Sequence, residues 1–179
     1  MKKPFVSLEK LEEITDEYPT PFHLYDEKGI RENARNLNKA FSWNKGFKEY
    51  FAVKATPNPT ILKILKEESC GVDCSSLTEL MMSEQVGFSG DEITFSSNVT
   101  PEEDFKLARE LDAIINLDDI THIDFLEEVA GIPETISCRF NPGNNFKSDN
   151  DIMDNPAEAK YGFTYSQLVE GFNKLQEKG

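Results

Sequence analysis

Five short apolar or β-branched runs recur along the chain at a near-constant interval, separated by stretches of helical period. Tyr50-Phe51-Ala52-Val53-Lys54, Val72–Ser75, Ile93–Ser96, Ala113–Leu117 and Ile136–Phe140 read as strands, ending near residues 54, 74, 97, 117 and 140, spaced by 20 or 23 residues. The helical stretches between them are Pro59–Glu68, Leu77–Val86, a segment opened by Thr100-Pro101-Glu102-Glu103 with Thr100 as N-cap, and Thr121–Val129. Strand, helix and strand at a fixed interval imply right-handed βα units on a parallel sheet. Two folds share that unit. A five-stranded doubly wound sheet is complete at this length, whereas a (β/α)8 barrel typically takes ~250 residues. The interval alone favours the doubly wound sheet. Outside the repeat of strand and helix, Phe22–Tyr25 reads as a brief strand behind the turn Tyr18-Pro19-Thr20-Pro21, and Glu27–Ala40 and Tyr165–Lys178 read as helices.

Charge narrows the function classes. The 179 residues carry 33 Asp and Glu against 19 Lys and Arg, a net charge of −14, which repels phosphate backbones and anionic lipid. Neither nucleic acid nor membrane is an expected partner. The apolar stretches fall short of a membrane span, and Met1-Lys2-Lys3-Pro4 has no apolar run behind it to make a signal peptide. Cys70, Cys74 and Cys138 contain no CxxC pair and have no neighbouring histidine, which points to free thiols in a reducing cytoplasm and to no metal site. The polar stretch Gly143–Lys160, with Asp149, Asp151 and Asp154, does not fit the calcium-loop spacing and reads as a solvated loop. No GxGxxG or P-loop occurs, which argues against redox dinucleotides and nucleotide hydrolysis.

In either fold, ligands meet the carboxyl ends of the parallel strands. The residues there are Lys54, Asp73 to Ser76, Ser96 to Asn98, Asn116 to Asp118, and Arg139 to Asn141. A lysine closing the apolar run Phe51-Ala52-Val53 stands out, because burial of an ammonium favours the neutral, nucleophilic amine; a surface lysine whose stem lies along the strand is the plainer reading. Asp73 and Arg139 each sit in a run of low polarity and need partners of opposite charge or hydrogen bonds. His23 and His122 have no catalytic partner at a recognisable spacing and read as structural or solvated.

Taken in order, the local motifs carry a resemblance. Thr20-Pro21-Phe22-His23-Leu24-Tyr25-Asp26, Phe51-Ala52-Val53-Lys54-Ala55, Gly71-Val72-Asp73-Cys74-Ser75-Ser76-Leu77-Thr78-Glu79-Leu80, Phe95-Ser96-Ser97-Asn98, Ile115-Asn116-Leu117-Asp118, Arg139-Phe140-Asn141-Pro142-Gly143 and Lys160-Tyr161-Gly162-Phe163 resemble the pyridoxal-phosphate (PLP) decarboxylases with an alanine-racemase-type barrel. The last two motifs are most similar to the diaminopimelate branch. The resemblance implies a partial (β/α)8 barrel of about five βα units over residues 27–179, behind an N-terminal segment and strand over residues 1–26. It implies Lys54 as the lysine bonded to PLP, Asp73 as a carboxylate beside it, Glu79 in the same network, Arg139 as a donor near the cofactor ring and Lys160 at a subunit interface or near substrate. It implies a carboxy-lyase acting on an amino acid, with diaminopimelate as substrate in lysine biosynthesis and ornithine, arginine or lysine as alternatives. PLP would supply the electron sink for the carbanion left by CO2 loss.

The family's later elements, a histidine strand motif, a glycine-rich phosphate loop, a Glu for the pyridine nitrogen and a C-terminal β-domain, have no match in these residues. The expectation is therefore a chain inactive alone, whose open barrel edge is hidden by self-association, by rearrangement or by a complementing C-terminal portion. A non-catalytic PLP-binding protein and a flavodoxin-like interaction module are the competing readings. The receiver type of the latter would want an acidic cluster, not Lys54, at the first strand end.

Overall fold

The computed structural model describes residues 3–143 and 161–178. Its strands are β1 (Tyr50–Ala52), β2 (Gly71–Cys74), β3 (Ile93–Ser96), β4 (Ile114–Leu117) and β5 (Ile136–Cys138), and its α-helices are α1 (Leu8–Glu17), α2 (Glu27–Ala40), α3 (Pro59–Glu67), α4 (Leu77–Val86), α5 (Glu102–Glu110), α6 (Thr121–Ala130) and α7 (Tyr165–Lys178). Alternate residues of a strand point to opposite faces, and here the two sets differ in chemistry. Val72, Cys74, Ile93, Phe95, Ile115 and Leu117 are at most 1% exposed and pack with Leu62, Leu80, Phe105, Ala108, Ile123 and Leu126 of the helices. The residues between them, Asp73, Thr94, Ser96 and Asn116, are polar and half-buried.

The sheet is parallel throughout and its spatial order is the chain order, β1-β2-β3-β4-β5. A doubly wound sheet reverses its order at a switch point. Unbroken order with right-handed crossovers puts every connecting helix on one side, so the sheet is an arc of a (β/α) barrel. This corrects the doubly wound sheet that the strand interval alone favours. The interval is common to both folds. What separates them is the second face of the strands, too polar to lie under a second layer of helices.

Most element bounds agree with the sequence pattern to within one or two residues, and the exceptions have local causes. β1 stops at Ala52, and Val53–Ala55 form a 3-10 turn that buries Val53 completely while leaving Lys54 in water. Phe22–Tyr25 form no strand, since Leu24 and Tyr25 are exposed and no strand pairs with them. Pro101, not Thr100, occupies the N-cap of α5; the Thr100 hydroxyl donates instead to Ser97 O at 3.3 Å. α1 carries Leu8, Leu11 and Ile14 at helical spacing yet buries none of its residues, and it is capped by Ser7, whose hydroxyl accepts from Lys10 N.

α2 and α3 add a smaller core of Ala34, Ile61, Ile64, Leu65 and Cys70. Its rim is an ion-pair cluster in which Arg35 and Arg31 reach Glu68 at 2.6 and 3.0 Å. Gly71 opens β2 where a Cβ would stand 2.7 Å from both Glu92 O and the Tyr50 ring, so β2 can only start on a glycine.

Candidate active site

The polar face of the arc ends in a cavity of about 350 Å³ lined by Lys54, Asp73, Ser75, Ser96, Ser97, Asn98, Arg139 and Tyr161. Three residues expected at the site, Lys54, Asp73 and Arg139, are thus brought together from the ends of β1, β2 and β5. Lys54 stands exposed on its 3-10 turn, in line with the plainer reading of a surface lysine, and it is Val53 that is buried. Asp73 is half-buried and accepts from the Thr94 hydroxyl at 3.1 Å. Burial pushes its carboxyl above the ordinary aspartate range, while the Thr94 bond and the charge of Lys54 pull the other way.

Arg139 is the most constrained member. Side chains two apart on a strand share a face, which sets Arg139 on the side of Ser137, across from Asn116 and Ser96 of the neighbouring strands. Ser137 Oγ donates to Asn116 Oδ1 at 2.9 Å, Asn116 Nδ2 donates to Ser96 Oγ at 3.1 Å, and Arg139 Nη2 donates to the same oxygen at 2.8 Å. At its other edge the guanidinium donates from Nη1 to Asp118 Oδ2 at 3.3 Å. The Tyr161 ring lies over it, 5.0 Å from Cζ to the ring centre. Tyr161 is held there because residues 161–163 pair with the end of β5: Phe163 N donates to Arg139 O at 2.6 Å and Asn141 N to Phe163 O at 2.8 Å. Gly162, at φ +95°, makes the turn between them, and a Cβ there would meet Asn141 Cβ at 3.0 Å.

Glu79 does not line the cavity. It accepts from Ser75 N at 3.0 Å and from the Ser75 and Ser76 hydroxyls at 3.1 and 3.2 Å, so its carboxylate locks the turn that leads from β2 into α4. Its link to the cavity runs through Ser75. Lys160 and most of the acidic stretch before it lie outside the described residues. His122 packs edge-on against Phe105, 5.8 Å between ring centres, and neither it nor His23 reaches the cavity. Cys74 faces Ser83 Oγ at 3.3 Å in the core, where burial pushes its thiol up to about 12. Among the described residues, no group of His, Cys, Asp and Glu could hold a metal ion.

Two contributors, Asp118 and Tyr161, lie in motifs the sequence pattern singles out, yet it gives them no role. Ser96, Asn116 and Ser137 have a visible signal, since polar residues at every second position of successive strands mark one wet face.

Residues 27–179 match the sequence family described as "Pyridoxal-dependent decarboxylase, pyridoxal binding domain". Protein TabA of Pseudomonas amygdali pv. tabaci is 38% identical over 169 residues, 94% of this chain and 39% of that protein. Diaminopimelate decarboxylase of Methanothermobacter thermautotrophicus is 36% identical over 131 residues, 73% of this chain and 31% of the enzyme. Among solved structures, diaminopimelate decarboxylase from Helicobacter pylori complexed with L-lysine superposes with a TM-score of 0.81 at 27% identity, over 94% of this chain and 44% of that one. The chain therefore spans about two fifths or less of the length of the curated relatives named here. The parallel arc, the polar cavity at its carboxyl edge and these matches together establish that the chain belongs to the pyridoxal-dependent decarboxylases, through their pyridoxal-binding domain.

Proposed function

We propose that this chain carries the cofactor-bearing wall of a PLP-dependent carboxy-lyase acting on a diamino acid of the diaminopimelate class, with Lys54 as the amine that bonds to the cofactor's aldehyde. The observation that carries this reading is the convergence of Lys54, Asp73 and Arg139 from three strand ends on one polar cavity. The donor set fits PLP: a solvent-reachable amine for the aldehyde, a guanidinium with neighbouring hydroxyls and an amide for anionic oxygens, and one carboxylate. When bound, PLP supplies the sink for the electron pair released with CO2.

The chain's own residues divide the remaining work. Lys54, on a turn at the rim, meets the aldehyde without rearrangement of the core. The Asp73 carboxylate, drawn toward protonation by burial and toward ionisation by the cation beside it, is set to hold a proton close to the Lys54 amine. Arg139 binds an anionic oxygen through the planar fork of N–H donors of its guanidinium. Glu79 fixes Ser75, which lines the cavity. Diaminopimelate is favoured as substrate because relatives bearing that enzyme's name match over most of this chain; ornithine, arginine and lysine are the competing substrates.

Among the described strands β5 pairs with β4 alone, residues 161–163 bridging only to the chain just beyond it, and beside it runs an apolar groove of about 760 Å³ walled by Ile132, Ile136, Leu168 and Phe172. Both features support a second copy of the chain or a complementing C-terminal portion as the partner, with Lys160 at that interface. No helix described is long and apolar enough to cross a membrane, and three unpaired thiols agree with a cytoplasmic setting.

The test is PLP addition followed by absorbance, borohydride reduction and peptide mapping. A visible band with the adduct on Lys54, absent in Lys54→Ala, is the expected result. No band, or adducts scattered over surface lysines, would overturn it. Substrate class is read from CO2 release with the complementing portion supplied, where diaminopimelate should exceed ornithine, arginine and lysine and the chain alone should release none.

A further inference from the structure

We propose that Asp118 is the positioning residue of this cavity: it does not line the cavity itself and acts by fixing the guanidinium of Arg139, which does. Asp118 follows β4 and is 1% exposed, and Arg139, not Asp118, lines the cavity. A carboxylate so buried demands a cation and hydrogen bonds. Among the described residues the ion pair it forms is with Arg139, whose Nε stands 3.1 Å from Oδ1 and whose Nη1 donates to Oδ2 at 3.3 Å. The Nε contact is off the line of its N–H, so Oδ1 is left without a hydrogen bond. The guanidinium cannot turn to close both bonds because Nη2 is held on Ser96 at 2.8 Å. It is therefore clamped on three sides, by Asp118 at one edge, Ser96 at the tip and Tyr161 on the face.

The clamp matters because Arg139 is itself 36% exposed. A long cation at an open mouth samples many rotamers, and each must be given up when it binds an anion. Asp118 removes that freedom beforehand, which is preorganisation of a binding group by a residue behind it. Its backbone adds a second tie, Asp118 O accepting from Gly162 N at 2.7 Å, which seats Tyr161 over the guanidinium. A purely structural ion pair would hold the two chain segments together and leave the cavity's affinity untouched.

Two readouts separate these roles, one independent of PLP and one resting on the proposed function. In the isotope-labelled chain, the Arg139 Nη1–H resonance, from the nitrogen that donates to Asp118, assigned by its loss in Arg139→Gln, should exchange slowly with water. In Asp118→Asn its exchange should rise about tenfold while amide signals of the helix-facing core stay in place. Where PLP binds, Asp118→Asn should weaken it about tenfold in the native background and less than about twofold in the Arg139→Gln background, the non-additivity expected of residues acting in series. A rapidly exchanging Arg139 signal in the native chain overturns the clamp, and needs no variant that folds. Additive losses in the two backgrounds overturn the positioning role. A chain that takes no PLP on Lys54 defeats the proposed function and leaves the exchange measurement to decide the clamp alone.

Discussion

The two faces of one sheet are built from the same strands and do opposite work. On the helix side, Val72, Cys74, Ile93, Phe95, Ile115 and Leu117 are at most 1% exposed. One residue along each strand, Asp73, Thr94, Ser96 and Asn116 are half-open to water and bonded mainly to one another and to Arg139. Burial of a large apolar side chain contributes roughly 1.5–3 kcal/mol, whereas a hydrogen bond exchanged against water contributes about 1 kcal/mol net. Stability is thus concentrated on one parity of the strand positions and recognition on the other. A parallel sheet covered by helices on both faces could not make this division.

The sharpest way to break the comparison is to mutate adjacent residues of β3. Phe95→Ala removes a ring that meets Phe105 edge-on at 6.2 Å and leaves a cavity between sheet and helices. It should cost ~3–5 kcal/mol in urea unfolding. Ser96→Ala, next along the same strand, should cost under ~1 kcal/mol while loosening Arg139. Equal losses at the two positions would mean that the polar face also carries the fold.

That parity is written in the sequence, although reading the strands as apolar runs passes over it. Asp73 and Ser75, Thr94 and Ser96, and Ser137 and Arg139 are polar at steps of two, and their apolar neighbours fill the core. The direction in which the units wind was not legible from the strand interval, because helices on one side or on both need the same length of connection. The resemblance supplied it, and the sheet order agrees. Lys54, Asp73, Asp118 and Arg139 were all legible as strand-end residues, while the contacts of Asp118 and Tyr161 with Arg139 were not. Contacts to a side chain 21 or 22 residues away leave no periodic trace.

Glu79 tests whether the border between the two faces is functional or structural. Its carboxylate closes the turn after β2 and faces the amide end of α4, where a negative charge is favourable. Glu79→Ala should therefore cost about 1 kcal/mol in thermal or urea unfolding, the usual range for a lost cap, with a smaller loss for Glu79→Gln. Full stability in Glu79→Ala would reassign the residue from the turn to the chemistry.

Away from the sheet, charge should govern acid behaviour more than either face does. Arg35 and Arg31 hold the Glu68 carboxyl below the ordinary glutamate range, mainly through hydrogen bonds. A carboxyl depressed in the folded state stabilises it above the unfolded value, and that contribution is lost as pH falls through the folded one. Burial of Asp73 and Asp118 raises their carboxyls, so protonating these groups favours the fold and opposes acid unfolding. Glu68→Gln should accordingly flatten the decline of stability below the ordinary glutamate range. Asp73→Asn should steepen it, and a melting series across acidic pH in each variant reads both signs.

The smallest expected change in stability belongs to the residue most tied to the proposed chemistry. Lys54 is exposed, and no described hydrogen bond or ion pair engages its amine; its neighbour Val53 is completely buried in the core. Lys54→Ala should leave the urea midpoint within ~0.5 kcal/mol of the native chain and abolish the reducible PLP adduct. Val53→Ala should do the reverse, losing stability as a core truncation while an adduct still forms on Lys54 in the folded fraction. Were Lys54→Ala instead to destabilise the chain as much as Val53→Ala, the 3-10 turn would be a packing element that happens to end in a lysine, and the separation between a face that folds and a face that binds would fail at the residue where it matters most.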